Sequence, residues 1–227
     1  MNDPKFDGKR FVKDLKEDIE LMKYLLNEIA ELNLEEEDPK AQKLVDVIGQ
    51  VLENSHSDII KEKDSPRRKV LVFSSYTDTV EHISKYVEAR FPNRTIIVTG
   101  NNFGPEKAKQ VKRNFDASFE KQDDNYDILV ASDKLSEGFN LNRAGVVINY
   151  DIPWNPTRVI QRVGRINRIG RKVFEKLYIF NFFPTTRGAQ IVPNRQIAES
   201  KMFAIHRILG EDAQIFSLDE EPNPSAL

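Results

Sequence analysis

Five short runs of apolar, β-forming residues recur along the 227-residue chain: KVLVFSS at 69–75, TIIVT at 95–99, DILVAS at 127–132, GVVINYD at 145–151 and KLYIFNFF at 176–183. Continuous runs of this length mark strands buried on both faces, as in a parallel sheet. Helical patterns separate them. Asp78 and Glu81 form a capping-box-like start for a helix with Val80, Ile83 and Val87 inward. Residues 105–119 give another, with Val111 and Phe115 inward. Strand alternating with helix implies right-handed crossovers, hence an α/β, doubly wound, mostly parallel sheet with helices on both faces. Such sheets bind ligands beyond the C-terminal strand ends. That rule lines residues 74–77, 99–102, 132–140 and 150–155 along one rim.

The ends of the chain read differently. Phe11, Leu15, Ile19, Met22, Leu26 and Ile29 step by three and four, which predicts an amphipathic helix over 9–34. The acids at 35–38 cap a second helix over 39–52, and both helices are expected to pack by their apolar faces. Residues 53–68 are polar, include Pro66 and read as a linker. A last helix is expected over 194–209, before an acidic, proline-containing tail. With no cysteine there is no disulfide framework, thiolate metal site or cysteine nucleophile. His56, His82 and His206 lack ligand spacing. The N-terminus has no apolar signal core and no run reaches transmembrane length, so the expected location is cytoplasmic.

The chemistry concentrates at 155–172, NPTRVIQRVGRINRIGRK. Asn155 suits an N-cap and Pro156 the first helical position. At about 100° per residue, Arg165 and Arg168 fall within about 40° of Gln161, opposite Val159, Val163 and Ile166. From Ile152 to Phe174 there are six cationic residues and no acid, although the chain carries a formal charge of −2. Arginines at this spacing repel one another. Their guanidinium groups suit phosphate oxygens, so the stretch asks for a polyanion. Gly164, inside the pattern, suggests close approach of another group to the backbone.

QRVGRINRIG resembles motif VI of superfamily II helicases and translocases, in the form Q-x-x-G-R-x-x-R-x-G, and is most similar to the SWI/SNF-like branch that includes the bacterial ATPase recycling RNA polymerase. The resemblance implies that Arg165 and Arg168 are arginine fingers for the ATP γ-phosphate, with Gln161 coupling nucleotide to the facing lobe. SDKLSEGFNL at 132–141 resembles motif V, which implies nucleic-acid contact at Ser132 and nucleotide proximity at Gly138 and Asn140. FSSYT at 73–77 resembles motif IV, and a Thr-Gly turn follows the next strand; Ser75, Thr77, Thr99 and Gly100 are the implied phosphate contacts. Trp154 reads as a packing anchor before the helix.

The chain contains no G-x-x-x-x-G-K-[ST] and no strand-borne Asp-Glu pair of the DExx kind, so most phosphoryl-transfer machinery is missing. The resemblance accounts for this. Residues 39–227 correspond to a RecA-like helicase C-terminal domain, and 1–38 to a helical segment joining it to a preceding lobe. ATP and Mg²⁺ would be held mainly by that first lobe, which this lobe closes upon; the other expected partner is nucleic acid, DNA in preference to RNA. The competing reading is a non-catalytic RecA-like module that binds nucleic acid or protein.

Overall fold

The computed structural model describes residues 7–33, 36–53, 68–136, 138–153, 155, 157–166, 173–174 and 176–183. It divides into two compact units, Met1–Gln42 and Lys43–Leu227. In the first, α1 (Gly8–Glu31) is capped by Asp7, whose carboxylate accepts from the amides of Lys9 and Arg10. It buries none of its residues: Phe11, Leu15, Ile19, Met22, Leu26 and Ile29 are all exposed. The packing expected of this helix is therefore absent, although its apolar periodicity is real. Asp38 caps α2 (Pro39–Leu52) through the amides of Lys40 and Ala41. In α2, Leu44, Ile48 and Val51 are buried.

The second unit is built on a five-stranded, all-parallel sheet: β1 (Lys69–Ser74), β2 (Thr95–Val98), β3 (Ile128–Ser132), β4 (Ala144–Asn149) and β5 (Tyr178–Asn181), in the order β2-β3-β1-β4-β5. The three central strands are buried at every position, as their unbroken apolar runs require. β2 and β5 form the edges; β2 buries alternate residues and β5 is half-buried throughout, so 95–99 is less enclosed than its sequence suggests. Helix α3 (Thr77–Arg90) crosses β1, β2 and β3, and α4 (Pro105–Phe115) buries Val111 and Phe115 against Leu71, Phe73, Ile96, Val98 and Leu129. From β1 through α3 to β2 the chain moves toward one edge, and from β2 through α4 to β3 it moves back the other way. Right-handed crossovers then place α3 and α4 on opposite faces.

Two local expectations change. No capping box forms at Asp78: α3 begins a residue earlier, after extended Tyr76, and Asp78 lies in its first turn. The stretch 53–68 is not linker to its end, because Arg68 is buried. Its guanidinium donates to the carbonyls of Gly145 and Lys176 and lies over the rings of Phe174 and Tyr178, 4.5 and 4.9 Å from their centroids. This is possible because residue 145 is glycine: a Cβ there would meet the Arg68 side chain at 2.6–2.9 Å. Gly145→Ala is expected to cost about 1–3 kcal/mol of stability, read as a lower urea midpoint at unchanged slope.

At the N-terminal edge, buried Lys69 donates to the Tyr126 carbonyl at 2.8 Å and pairs with Asp124 at 3.0 Å; Asp124 also binds Arg143. Burial pushes the Lys69 ammonium below the usual lysine range. At Asp124 burial acts upward, but the hydrogen bonds and charges of Lys69 and Arg143 outweigh it and hold the carboxyl below its ordinary value.

Candidate functional site

The strand order reverses between β3 and β1, so the crevice at their C-terminal ends is where an open sheet of this kind ordinarily takes a ligand. Ser74 and Ser132 are register partners there. The crevice is filled from within. Arg162, on α5 (Thr157–Gly164), is fully buried and engages all three ends of the central strands. Its Nε donates to Asp133 at 2.7 Å, one terminal nitrogen to the Asn149 side chain at 3.0 Å and the Asp151 carbonyl at 3.2 Å, and the other to the Ser75 hydroxyl at 3.2 Å. The Asp151 carboxylate accepts in turn from the Ser75 amide at 2.9 Å and from the Ser74 hydroxyl. A buried guanidinium survives only when its charge and its donors are matched, and here they are.

Asp133 opens the short 3-10 turn Asp133–Ser136 and also binds Arg158 at 2.8 Å. Acids from the ends of β3 and β4 thus neutralise two of the six clustered cations. The expectation that nothing nearby does so holds only along the sequence. Asn155 does cap α5, its side-chain oxygen accepting from the Thr157 amide at 3.1 Å.

The arginine helix is shorter than its pattern. It ends at Gly164, and the amides of Arg165 and Ile166 bond three residues back, to the carbonyls of Arg162 and Val163. Such bonds tighten a final turn. Arg165 is therefore half-buried in a turn, while Gln161 is exposed on the helix. Nothing among the described residues lies within 4 Å of a Cβ built at Gly164, so the close approach expected there is not made by them. Val159 and Ile166 are buried as predicted. Arg168 and Trp154 lie outside the described residues, as does the helix expected over 194–209.

The turn bearing Arg165 is joined to the loop bearing Gly138 and Asn140, because the Leu141 amide donates to the Arg165 carbonyl at 3.0 Å. Gly138 has φ +84°, a left-handed conformation that favours glycine. Phe139, between Gly138 and Asn140, meets Phe103 edge-on at 5.2 Å, bracing this loop against the turn after β2. In that turn Thr99 is buried and its amide donates to the Asn102 side chain at 2.8 Å, while Gly100 is half-buried. Ser132 is buried at the end of β3; Ser75 and Thr77 are half-buried beside the end of β1. The rim so gathers Ser75, Thr77, Thr99, Gly100, Ser132, Gly138, Asn140, Gln161 and Arg165. Arg162, Asp133, Asn149 and Asp151, which hold it together, are absent from the sequence-based set. Among the described residues no group of three or more His, Cys, Asp or Glu could hold a metal, and no helix is long and apolar enough to cross a membrane.

Comparison with known proteins agrees with this arrangement. A family model, the helicase conserved C-terminal domain, matches residues 45–170, more than half of the chain. The uncharacterized ATP-dependent helicase YqhH of Bacillus subtilis (strain 168) is 31% identical over 142 residues, covering 61% of this chain and 23% of that protein. The RNA polymerase-associated protein RapA of Vibrio campbellii is 31% identical over 113 residues, covering 50% of this chain and 11% of that one. The chain thus spans less than a quarter of the length of these relatives. In fold it is similar to the C-terminal part of the Fun30 ATPase domain, with TM-score 0.53 at 18% identity over 96% of this chain and 62% of that one. The S. cerevisiae Dbp5 structure bound to RNA and ADP BeF3 gives TM-score 0.50 at 17% identity, over 78% of this chain and 38% of that one. The five-stranded parallel sheet is RecA-like, and the chain belongs to the helicase conserved C-terminal domain family.

Proposed function

We propose that this chain is the second lobe of an ATP-dependent nucleic-acid helicase or translocase, and that it completes an ATP site whose other half lies on a first RecA-like lobe. One observation carries the reading. Arg165 sits half-buried on a turn that the Leu141 amide fastens to the Gly138–Asn140 loop, so the arginine of the motif VI stretch and the glycine loop of the motif V stretch are held together at one edge of the sheet. Arg165, with Arg168, is the arginine finger for the γ-phosphate; Gln161 relays nucleotide state to the facing lobe; Gly138 and Asn140 line the nucleotide. Ser75, Thr77, Thr99, Gly100 and Ser132 are the positions for phosphate contacts along the strand. Ser75, Thr77 and Gly100 are half-buried, whereas Thr99 and Ser132 are buried. Backbone contacts of this kind position a strand without reading its sequence. DNA is the preferred strand. Residues 1–38 would join this lobe, 39–227, to the first.

The described residues offer no ligand set for Mg²⁺, so no step is assigned to the metal on this lobe. What the lobe supplies is charge placed where it develops during phosphoryl transfer. The 227-residue chain by itself is therefore expected to release no phosphate from ATP, with or without single- or double-stranded nucleic acid. Turnover by the chain alone, in a coupled phosphate-release assay, would overturn the split site.

A further inference from the structure

Outside α1 and its C-cap Leu32, one large hydrophobic side chain among the described residues is exposed: Tyr76, at 67%. It stands on the rim, between Ser75 and Thr77, where β1 passes into α3. Its backbone is fixed on every side. The Tyr76 amide donates to the Ser74 hydroxyl at 3.3 Å, its carbonyl accepts from Val80 at 3.1 Å, and the preceding Ser75 amide is held by Asp151 at 2.9 Å. It occupies the N-cap position of α3 in an extended conformation (φ −114°, ψ 131°), yet its side chain caps nothing. The residue types that close a helix at this position are Ser, Thr, Asp and Asn. An aromatic ring here forgoes that bond and is held out in water on a rigid support.

What this corner offers a passing strand is the face of a ring. Rings on rigid backbone stack on bases with little loss of conformational freedom, and stacking tolerates every base because each has a π-face.

We infer that Tyr76 is a stacking residue for an unpaired nucleobase of a single nucleic-acid strand, DNA or RNA, lying along this rim. This rests on the nucleic-acid grip proposed above and adds the element of the strand that is gripped. Phosphate contacts hold the strand's backbone, and Tyr76 takes one base face. Single strands are then preferred to a blunt duplex, whose internal bases are already stacked.

The test is a cycle between protein and ligand. Binding of the 227-residue chain to fluorescein-labelled oligothymidylate and oligouridylate is followed by anisotropy, beside an oligonucleotide of equal length with abasic central positions. Tyr76→Ala is expected to weaken binding to the base-bearing strands by roughly 5- to 150-fold. Tyr76→Phe, which keeps the ring, should restore most of it. On the abasic strand and on a blunt duplex the alanine variant should match wild type. An equal loss on the abasic strand, or no loss on the base-bearing ones, overturns the stacking role and leaves the grip standing. A wild-type chain that binds none of the ligands overturns both. Because the ring is exposed, the variants should share the wild-type thermal midpoint, which shows that a loss is not one of folding.

Discussion

Replacing Arg165 by alanine in the two-lobe parent protein should reduce nucleic-acid-stimulated ATP turnover by roughly 10³- to 10⁵-fold, the effect of withdrawing an arginine finger. Affinity for nucleic acid should stay close to wild type, since the residue is assigned to the triphosphate and not to the strand. The two readouts separate the roles: equal loss of turnover and of strand affinity would remove Arg165 from the finger position. Stability should fall less than for a fully enclosed arginine, because Arg165 is half-buried in a turn. Arg165→Lys should rescue little. An ammonium carries the charge but lacks the planar fork that meets two phosphate oxygens at once.

Arg162→Ala should behave in the opposite sense. The side chain is fully buried and bonded to Asp133, Asn149, Asp151 and Ser75, so its removal takes the shared buried cation away from two carboxylates at the sheet's C-terminal edge. Breaking a buried charge pair from one side costs about 3–5 kcal/mol. Arg158 still answers Asp133, which places the expectation toward the lower figure. Urea denaturation of the 227-residue chain measures this directly. Pairing the change with Asp133→Asn should cost less than the two single changes added together, since no uncompensated carboxylate then remains at that position. A loss below about 1 kcal/mol for Arg162→Ala would mean that the network is ornamental.

The sheet was legible because its central strands are unbroken apolar runs, and only burial on both faces explains such runs. β2 read the same way but is an edge strand; run composition does not reveal which strand comes last in the order. The exposure of α1 was equally hidden. Periodicity reports that a helix has an apolar face, not what covers it.

At the site, Gln161 and Arg165 stood out through their spacing and Gly138 through the motif V resemblance, whereas Arg162 lies between the polar and the oily side of the helix wheel. A signal was present. At about 100° per residue Arg162 falls within about 60° of Val159 and 40° of Ile166, at the border of the oily stripe, where a buried arginine must have an acid waiting for it. Asp133 and Asp151 lie just beyond the ends of two buried strands, which are the places from which such an acid could reach it. What no spacing showed was where α5 stops. Gly164 halves the helix that the arginine pattern implies, and Arg165 owes its place to a turn.

One guanidinium ties the ends of three neighbouring strands to a helix, and a further amide ties that helix's last turn to the loop beside it. A margin cross-braced in this manner travels as a single chassis. Under the proposed two-lobe reading any joint belongs outside this frame, and spacings among Ser75, Asp133, Asp151 and Arg162 should be the same with and without nucleotide.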